Sequence, residues 1–153
     1  MRLTDILKPQ NIKVPLAATG KREAIKELVD LLGTNTELAD PVKVLDAVLE
    51  REATRTTGIG NGLAIPHGKS DGLDHLVMAI GRCDKPVDFQ AIDGKPVSLI
   101  WMLVSPRDKT GQHITVLAKV AKIMASDRFR ADLLKAPDAA ALFDLVQKQE
   151  VNL

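Results

Sequence analysis

The 153-residue chain carries 21 Lys and Arg against 20 Asp and Glu, which gives a formal net charge of +1 at pH 7. This balance, with 3% aromatic residues and no tyrosine, excludes the usual nucleic-acid binder, which needs a basic face and stacking side chains. The 45% hydrophobic content suffices for one buried core, so we expect a single domain over residues 1–153. No apolar run approaches the roughly 18 residues that span a bilayer, and we expect a cytoplasmic protein without membrane insertion.

The N-terminal part predicts a short strand followed by a helix. Residues 11–18, NIKVPLAA, alternate weakly between apolar and polar, and Pro15 favours an edge position for this strand. In residues 21–33 the apolar side chains recur at helical spacing. Gly33 closes this segment and suits the left-handed position that often follows a helix.

A second helix is predicted by the residues at its start. Asp40 is a favourable N-cap, and Pro41 suits the first helical position, where no backbone N–H is needed. We expect the helix to end near Arg51. Its predicted inward face consists of Val44, Leu45, Val48 and Leu49.

Two continuous apolar runs predict strands that are covered on both faces. They span residues 76–82 and 97–104 and are bounded by turn residues. The connection between them carries a turn at Asp93–Gly94 and is expected to hold another short strand around residues 87–89.

The last third of the chain predicts helices over residues 111–126, 127–135 and 138–148. In the first of these helices one predicted face carries Ile114, Leu117, Ala121 and Met124, and the other carries Lys119 and Lys122. The order of elements predicts an α/β fold in which helices pack on a mixed β-sheet. One sequence does not determine the order of the strands.

A glycine-rich segment, TGIGNGLAIPHGKSDG, surrounds His67. Glycines let a backbone approach a ligand closely and offer unscreened N–H groups to an anion, and their alternation indicates a requirement of shape. The segment is not a P-loop, because Leu63 stands where the first glycine of that motif belongs. The same Leu63 breaks the dinucleotide-binding fingerprint, so we expect no nucleotide cofactor.

The residues next to His67 are compatible with more than one role for its side chain. Pro66 and Gly68 are expected to hold the imidazole at a loop edge, where it could also be a structural residue. A metal site with His75 and His113 lacks a recognised ligand spacing, so we expect no metal, and a serine hydrolase would need a nucleophile elbow that is absent. The single Cys83 is expected to be a buried, unreactive thiol.

Three segments together resemble the fructose/mannitol-type enzyme IIA domains of the bacterial phosphoenolpyruvate-dependent phosphotransferase system. They are TTGIGNGLAIPHGK, PVDFQAIDGKPVSLIWMLVSP and HITVLAKVAKIM, and the resemblance covers nearly the whole chain. It implies a three-layer α/β/α fold and a phosphotransferase that works through a phosphohistidine. The donor would be an HPr-like phosphocarrier, and the downstream targets would be proteins.

The resemblance assigns roles to individual residues. His67 would accept the phosphoryl group, and the family implies Nε2 as the acceptor atom, although the residues themselves leave Nε2 and Nδ1 open. Arg51 and His113 would bind or orient the phosphoryl group, and Gly68 would offer its backbone beside it. Lys69 is expected to be an exposed lysine that adds positive potential, and His75 matches no family position.

Within this family the sequence is most similar to the nitrogen-regulatory type. Because one domain occupies the 153 residues and no sugar-specific feature stands out, we expect a regulatory phosphocarrier. Two alternatives remain. One is a sugar-specific IIA protein that feeds a separate IIB/IIC transporter, and the other is a binding module of the same fold that works without phosphorylation.

Overall fold

The computed structural model describes residues 1–35 and 37–153. The helices are α1 (Leu3–Ile6), α2 (Lys21–Thr34), α3 (Pro41–Thr54), α4 (Thr110–Ile123), α5 (Asp127–Lys135) and α6 (Ala139–Glu150). The strands are β1 (Leu7–Lys13), β2 (Gly58–Gly60), β3 (Leu63–Ala64), β4 (His67–Ser70), β5 (Val77–Val87) and β6 (Val97–Pro106). None of the helices in these ranges is long and apolar enough to cross a membrane.

The sheet is mixed and open, with the order β1-β5-β6-β3-β2, and β4 also pairs with β6. The two long strands β5 and β6 are antiparallel, while β1 runs parallel to β5. Strands β3 and β4 follow one another along the other side of β6, both parallel to it. The chain from residue 63 to residue 70 is therefore one interrupted strand beside β6, and it carries the histidine of the glycine-rich segment.

Two apolar cores lie on opposite faces of this sheet, as the alternation of β6 shows. Leu99, Trp101 and Leu103 belong to the core beneath α4, α5 and α6. Ile100 and Met102 belong to the core beneath α2 and α3. Because both faces are covered, the central strands are apolar at nearly every position. The predicted α/β class with three layers is confirmed.

The predicted helices are present, but some of their details differ. Asp40 caps α3 as expected, since its side chain accepts a hydrogen bond from the backbone N–H of Lys43. The prediction that Gly33 follows the first helix is wrong, because α2 continues to Thr34 and Gly33 has no positive φ. Helix α3 likewise continues past Arg51 to Thr54.

The strand predictions need two corrections. The first strand is an edge strand, as expected, but it spans Leu7–Lys13 and ends before Pro15. Residues 87–89 do not form a strand of their own, because β5 continues as far as Val87. The turn at Asp93–Gly94 is present, with Gly94 at a φ of 72°.

The predicted apolar face of α4, with Ile114, Leu117, Ala121 and Met124, is not the face that packs on the sheet, although Met124 at the end of the helix is buried. The buried residues of α4 are His113, Val116, Val120 and Ile123. Ile114 is 61% exposed and lines a surface groove together with Leu117. An apolar stripe at helical spacing can face either a core or a binding surface, and the sequence pattern does not distinguish them.

Candidate functional site

His67 is the first residue of β4 and lies opposite Leu103 of the central strand β6. The residue before it, Pro66, accepts a backbone hydrogen bond from Leu103. The half-buried imidazole lines a groove of about 790 Å³, which Arg51 and His113 also line. The structure thus brings together the three side chains that the sequence resemblance selected.

One hydrogen bond fixes the ring of His67. Its Nδ1 lies 2.8 Å from the carbonyl oxygen of Ile65, which can only accept, so Nδ1 carries the proton and donates it. The neutral ring then has an unprotonated Nε2. Nε2 has no hydrogen-bond partner in the described part of the chain, and it is not fully buried. Its lone pair is therefore open to the groove.

The surroundings keep this ring neutral. Burial is the largest effect and lowers the pKa of His67, and the positive charge of Arg51 lowers it further. The hydrogen bond to Ile65 and the charge of Glu52 act in the opposite direction but do not outweigh burial. A neutral imidazole with a free Nε2 is a competent nucleophile near neutral pH.

Arg51 reaches the groove because α3 packs closely on β4. A Cβ at Gly68 would lie 3.2 Å from the backbone of Ala47 and Val48, so glycine permits this approach. Arg51 follows Ala47 by one helical turn and therefore projects from the same face of α3. Its Nη1 donates to the carbonyl oxygen of Arg55 at 2.8 Å, which leaves other guanidinium N–H groups available to an anion.

His113 comes from the other layer of the molecule. Strand β6 ends at Pro106 and α4 starts at Thr110. His113 is the fourth residue of α4 and therefore lies close to the end of β6. The rings of His67 and His113 lie 5.6 Å apart with an angle of 56° between them. Nδ1 of His113 is 2.7 Å from the hydroxyl oxygen of Ser105, and both residues are buried.

His113 is also neutral. Burial is the largest effect and lowers the pKa of His113 to about 4, and repulsion by the protonated form of His67 and by Lys69 acts in the same direction. Since a neutral imidazole carries one N–H, a second bond to an anion depends on which ring nitrogen holds the proton.

A chain of hydrogen bonds that the sequence did not reveal connects His67 to the buried carboxylate of Glu52. The buried carboxylate of Glu52 accepts from the backbone N–H of Thr57 at 2.6 Å and from its hydroxyl at 2.7 Å. The carbonyl of Thr57 accepts from the N–H of Ile65 at 3.0 Å, and the carbonyl of Ile65 accepts from His67. An acidic residue in the last turn of an amphipathic helix carries no sequence signal for such a role.

The alternating glycines have a conformational purpose. Gly60, Asn61 and Gly62 all have positive φ values, of 101°, 57° and 75°, and they form the turn between β2 and β3. The carboxylate of Asp93 accepts from the N–H of Asn61 and ties this turn to the next loop. The three turn residues do not line the groove, so their role differs from the predicted presentation of N–H groups to an anion.

The remaining candidates lie outside the reactive centre. Lys69 is exposed at the groove, with Nζ 3.5 Å from the hydroxyl of Thr110. His75 is on the surface, bonded to Asp74 and Glu37. Cys83 is buried, and burial raises the pKa of its thiol to about 11, which fits an unreactive residue. The described residues contain no cluster of three or more His, Cys, Asp or Glu that could hold a metal ion.

Exposed apolar residues surround the groove. Ile59, Ile92 and Ile114 are 46%, 65% and 61% exposed. Ile114 lines the groove itself, and the other two line an adjoining depression that shares His67 and Arg51. Large exposed apolar side chains around a polar centre are typical of a surface that binds another protein.

Known proteins are similar to this chain in both fold and sequence. The family model for the phosphoenolpyruvate-dependent sugar phosphotransferase system, EIIA 2, matches residues 5–149. A nitrogen regulatory protein of Bradyrhizobium diazoefficiens is 32% identical in an alignment over 150 residues, and the match covers 95% of this chain and 95% of that protein. The crystal structure of nitrogen regulatory protein IIA-Ntr from Neisseria meningitidis has a TM-score of 0.86 at 33% identity, covering 93% of this chain and 97% of that one.

A longer relative has another role. The fructose-specific EIIABC component of Bacillus subtilis is 29% identical over 150 residues, which are 98% of this chain but only 24% of that protein.

The fold is thus that of the IIA proteins of bacterial phosphoryl-transfer systems. The chain belongs to the EIIA type 2 family of the phosphoenolpyruvate-dependent sugar phosphotransferase system.

Proposed function

We propose that this protein is a regulatory phosphocarrier that accepts a phosphoryl group on Nε2 of His67 from a phosphohistidine of an HPr-like protein. The observation that carries the proposal is the hydrogen bond from Nδ1 of His67 to the carbonyl of Ile65. This bond directs the lone pair of Nε2 into the groove, where Arg51 and His113 also lie.

The transfer is balanced without an added proton or cofactor. The donor ring carries a proton on its other nitrogen. Its phosphorus–nitrogen bond breaks as a bond forms from phosphorus to Nε2 of His67, so the donor ring regains its electron pair and leaves as a neutral imidazole. The proton on Nδ1 remains held by the carbonyl of Ile65. Phosphoryl transfer needs mainly positioning and charge stabilisation, which the guanidinium of Arg51 supplies through paired N–H donors.

The surface around the groove supports a protein as donor. Ile59, Ile92 and Ile114 form an apolar rim, while the centre is polar. A partner that covers this rim would exclude water from the transferring group and strengthen the electrostatic interactions there. Gly68, whose backbone also lines the groove, stays a predicted phosphoryl-binding residue.

The regulatory role follows from the relatives. The Bradyrhizobium protein, called a nitrogen regulatory protein, matches this chain over 95% of its own length. In the proposed role the phosphorylation state of His67 is read by downstream proteins, such as a regulatory kinase or a transporter. In this role residues 1–153 act as one EIIA domain.

The test is intact-mass measurement after incubation with phosphoenolpyruvate, enzyme I and HPr or its nitrogen-branch counterpart, under conditions that preserve acid-labile phosphohistidine. We expect one added phosphoryl group in the wild type and in the control His75→Ala, and none in His67→Ala. Thermal unfolding shows whether His67→Ala is folded. No addition to the wild type with any competent donor would favour the binding module that works without phosphorylation.

A sugar-specific role is the second candidate, because the fructose-specific relative matches 98% of this chain. Adding fructose-type and mannitol-type IIB proteins to the phosphorylated protein distinguishes the two roles. Rapid loss of the phosphoryl group to one IIB protein would assign a transport role. Retention with every IIB protein supports the regulatory role.

A further inference from the structure

The hydroxyl of Ser105 is the hydrogen-bond partner of His113, the second histidine of the groove. Ser105 lies near the end of β6, opposite Lys69 in the register with β4, and is fully buried. Its Oγ is 2.7 Å from Nδ1 of His113, a short distance for a hydrogen bond between a hydroxyl and a ring nitrogen. No role follows for this serine from the motifs in the sequence.

The direction of this bond follows from the proton of the hydroxyl. In the described part of the chain, Oγ of Ser105 has no other hydrogen-bond partner than His113. If Nδ1 donated to Oγ, the hydroxyl proton of Ser105 would be buried without an acceptor, which costs about 1–3 kcal/mol. The favourable arrangement is therefore Ser105 as the donor and Nδ1 of His113 as the acceptor.

This direction fixes the tautomer of His113. With Nδ1 as an acceptor, the single proton of the neutral ring resides on Nε2. Nε2 of His113 has no partner in residues 1–35 and 37–153, and it is not one of the enclosed, unpaired polar atoms. Since the ring lines the groove, its N–H is open to a group bound there.

The two rings are thus held in opposite tautomers by different partners. The carbonyl of Ile65 keeps the proton of His67 on Nδ1, so Nε2 is a nucleophile. The hydroxyl of Ser105 keeps the proton of His113 on Nε2, so Nε2 is a donor. In the other tautomer Nε2 of His113 would be unprotonated, and its lone pair would face the negative oxygens of a phosphoryl group.

We propose that Ser105 is a positioning residue whose hydroxyl holds His113 in the Nε2–H tautomer and so presents an N–H donor to the phosphoryl group on His67. The kinetic part rests on the proposed function, because it requires a phosphoryl group at His67. The tautomer is a property of the unmodified protein, and it can be measured whether or not the protein accepts a phosphoryl group.

The first measurement is the ¹⁵N spectrum of the imidazoles in the wild type, at a pH well above 4, with His113 assigned from the His113→Gln variant. We expect His113 to show a protonated Nε2 and an unprotonated Nδ1, and His67 to show the reverse. In Ser105→Ala we expect the His113 signals to move toward a mixture of tautomers. A protonated Nδ1 on wild-type His113 overturns the proposal without any mutation, so misfolding of a variant leaves this measurement decisive.

The second measurement is the rate of phosphoryl acceptance from the HPr-like donor. We expect Ser105→Ala to be slower than the wild type by about tenfold, the effect of losing one hydrogen bond of roughly 1.4 kcal/mol. Ser105→Thr keeps the hydroxyl and should restore most of the rate. The matched control is Ser98→Ala on the same strand, which should react at the wild-type rate because Ser98 does not line the groove.

A double variant separates positioning from general damage to the fold. If Ser105 acts through His113, Ser105→Ala should slow His113→Ala no further, because the hydroxyl then has no ring to orient. Equal slowing in both backgrounds would assign Ser105 a structural effect and contradict the proposal. A wild-type rate in Ser105→Ala would contradict it as well.

Discussion

The groove and the exposed surface around His75 hold histidines in contrasting environments. In the groove, His67 and His113 pair with a backbone carbonyl and a hydroxyl, which carry no charge, and burial lowers the pKa of both rings. On the surface, His75 contacts Glu37 at 3.0 Å and Asp74 at 2.6 Å. These two hydrogen bonds raise the pKa of His75, since the carboxylates stabilise its charged form.

The difference shows what makes a histidine available for group transfer. A carboxylate partner favours the imidazolium, which has no lone pair to attack phosphorus. A neutral partner in a buried setting keeps one ring nitrogen unprotonated and fixes which one it is. The groove thus differs from the surface by the charge of the hydrogen-bond partners as well as by burial.

Removing the charge of Arg51 should have the largest effect on this contrast. We expect Arg51→Ala to slow phosphoryl acceptance by about 10²–10³-fold, the usual loss for one donor that stabilises developing charge. The pKa of His67 should rise, because the charge of Arg51 now lowers it. Rapid-quench measurement of the phosphorylated protein gives the rate, and NMR titration gives the pKa.

Two controls accompany Arg51→Ala. Arg51→Lys keeps the charge without the planar pair of donors, so it should restore the pKa of His67 more completely than the rate. Arg128→Ala removes an exposed arginine of α5 and should change neither quantity. A wild-type rate in Arg51→Ala would remove Arg51 from the phosphoryl site.

The next test alters a buried carboxylate whose charge acts on His67. Glu52 is buried, bonds twice to Thr57 and lies 3.9 Å from Nζ of Lys21. Glu52→Gln places an amide NH₂ against one of these donors, so we expect a loss of about 1–3 kcal/mol in the free energy of unfolding. Because the charge of Glu52 raises the pKa of His67, that pKa should fall further in the variant.

Urea unfolding and NMR titration measure these two effects. Glu50→Gln is the matched control, because Glu50 is exposed on the same helix, and it should change stability by less than about 0.5 kcal/mol. A Glu52→Gln variant as stable as Glu50→Gln would mean that the bonds to Thr57 contribute little. An unchanged titration of His67 would mean that the charge of Glu52 does not reach the groove.

The loss of stability at acid pH has a definite sign. Because the pKa of His113 is about 4 in the folded protein and near 6.5 when unfolded, the unfolded chain binds more protons between these values. Stability is therefore lost as the pH falls from about 6.5 to about 4, by at most about 1.4 kcal/mol per pH unit from this ring. Urea unfolding across that range should show a shallower slope for His113→Gln, and an unchanged slope would contradict a buried, neutral His113.

Much of this architecture could be predicted from sequence because it rests on local rules. Asp40 and Pro41 define the start of α3 through backbone hydrogen bonding and a fixed φ, and the structure confirms both. The two apolar runs of the central strands were also recognisable, since strands covered on both faces need apolar residues throughout. The groove residues were found through a family resemblance, and no local pattern would have selected Arg51.

The parts that sequence could not supply depend on contacts between distant segments. The stripe of Ile114 and Leu117 has helical periodicity, but only the packing of α4 shows that it faces the groove. In the sequence Ser105 directly follows the apolar run of residues 97–104, and its partner His113 lies in the next element. Gly33 shows the limit of a local rule, because α2 continues through it with ordinary helical geometry.

The smallest expected effect concerns His75. Its contribution to stability changes with pH in the opposite direction to that of His113. A raised pKa means that His75 contributes stability below its unfolded pKa of about 6.5 and loses that contribution as the pH rises through the folded pKa. Its side chain is 53% exposed, so solvent screening limits the contribution to less than about 1 kcal/mol. His75→Gln should therefore be less stable than the wild type at pH 5.5 and closely similar at pH 8.5, by urea unfolding. Added salt should shrink the difference at pH 5.5, whereas a difference that grows with pH would show that the carboxylates do not hold the charged ring.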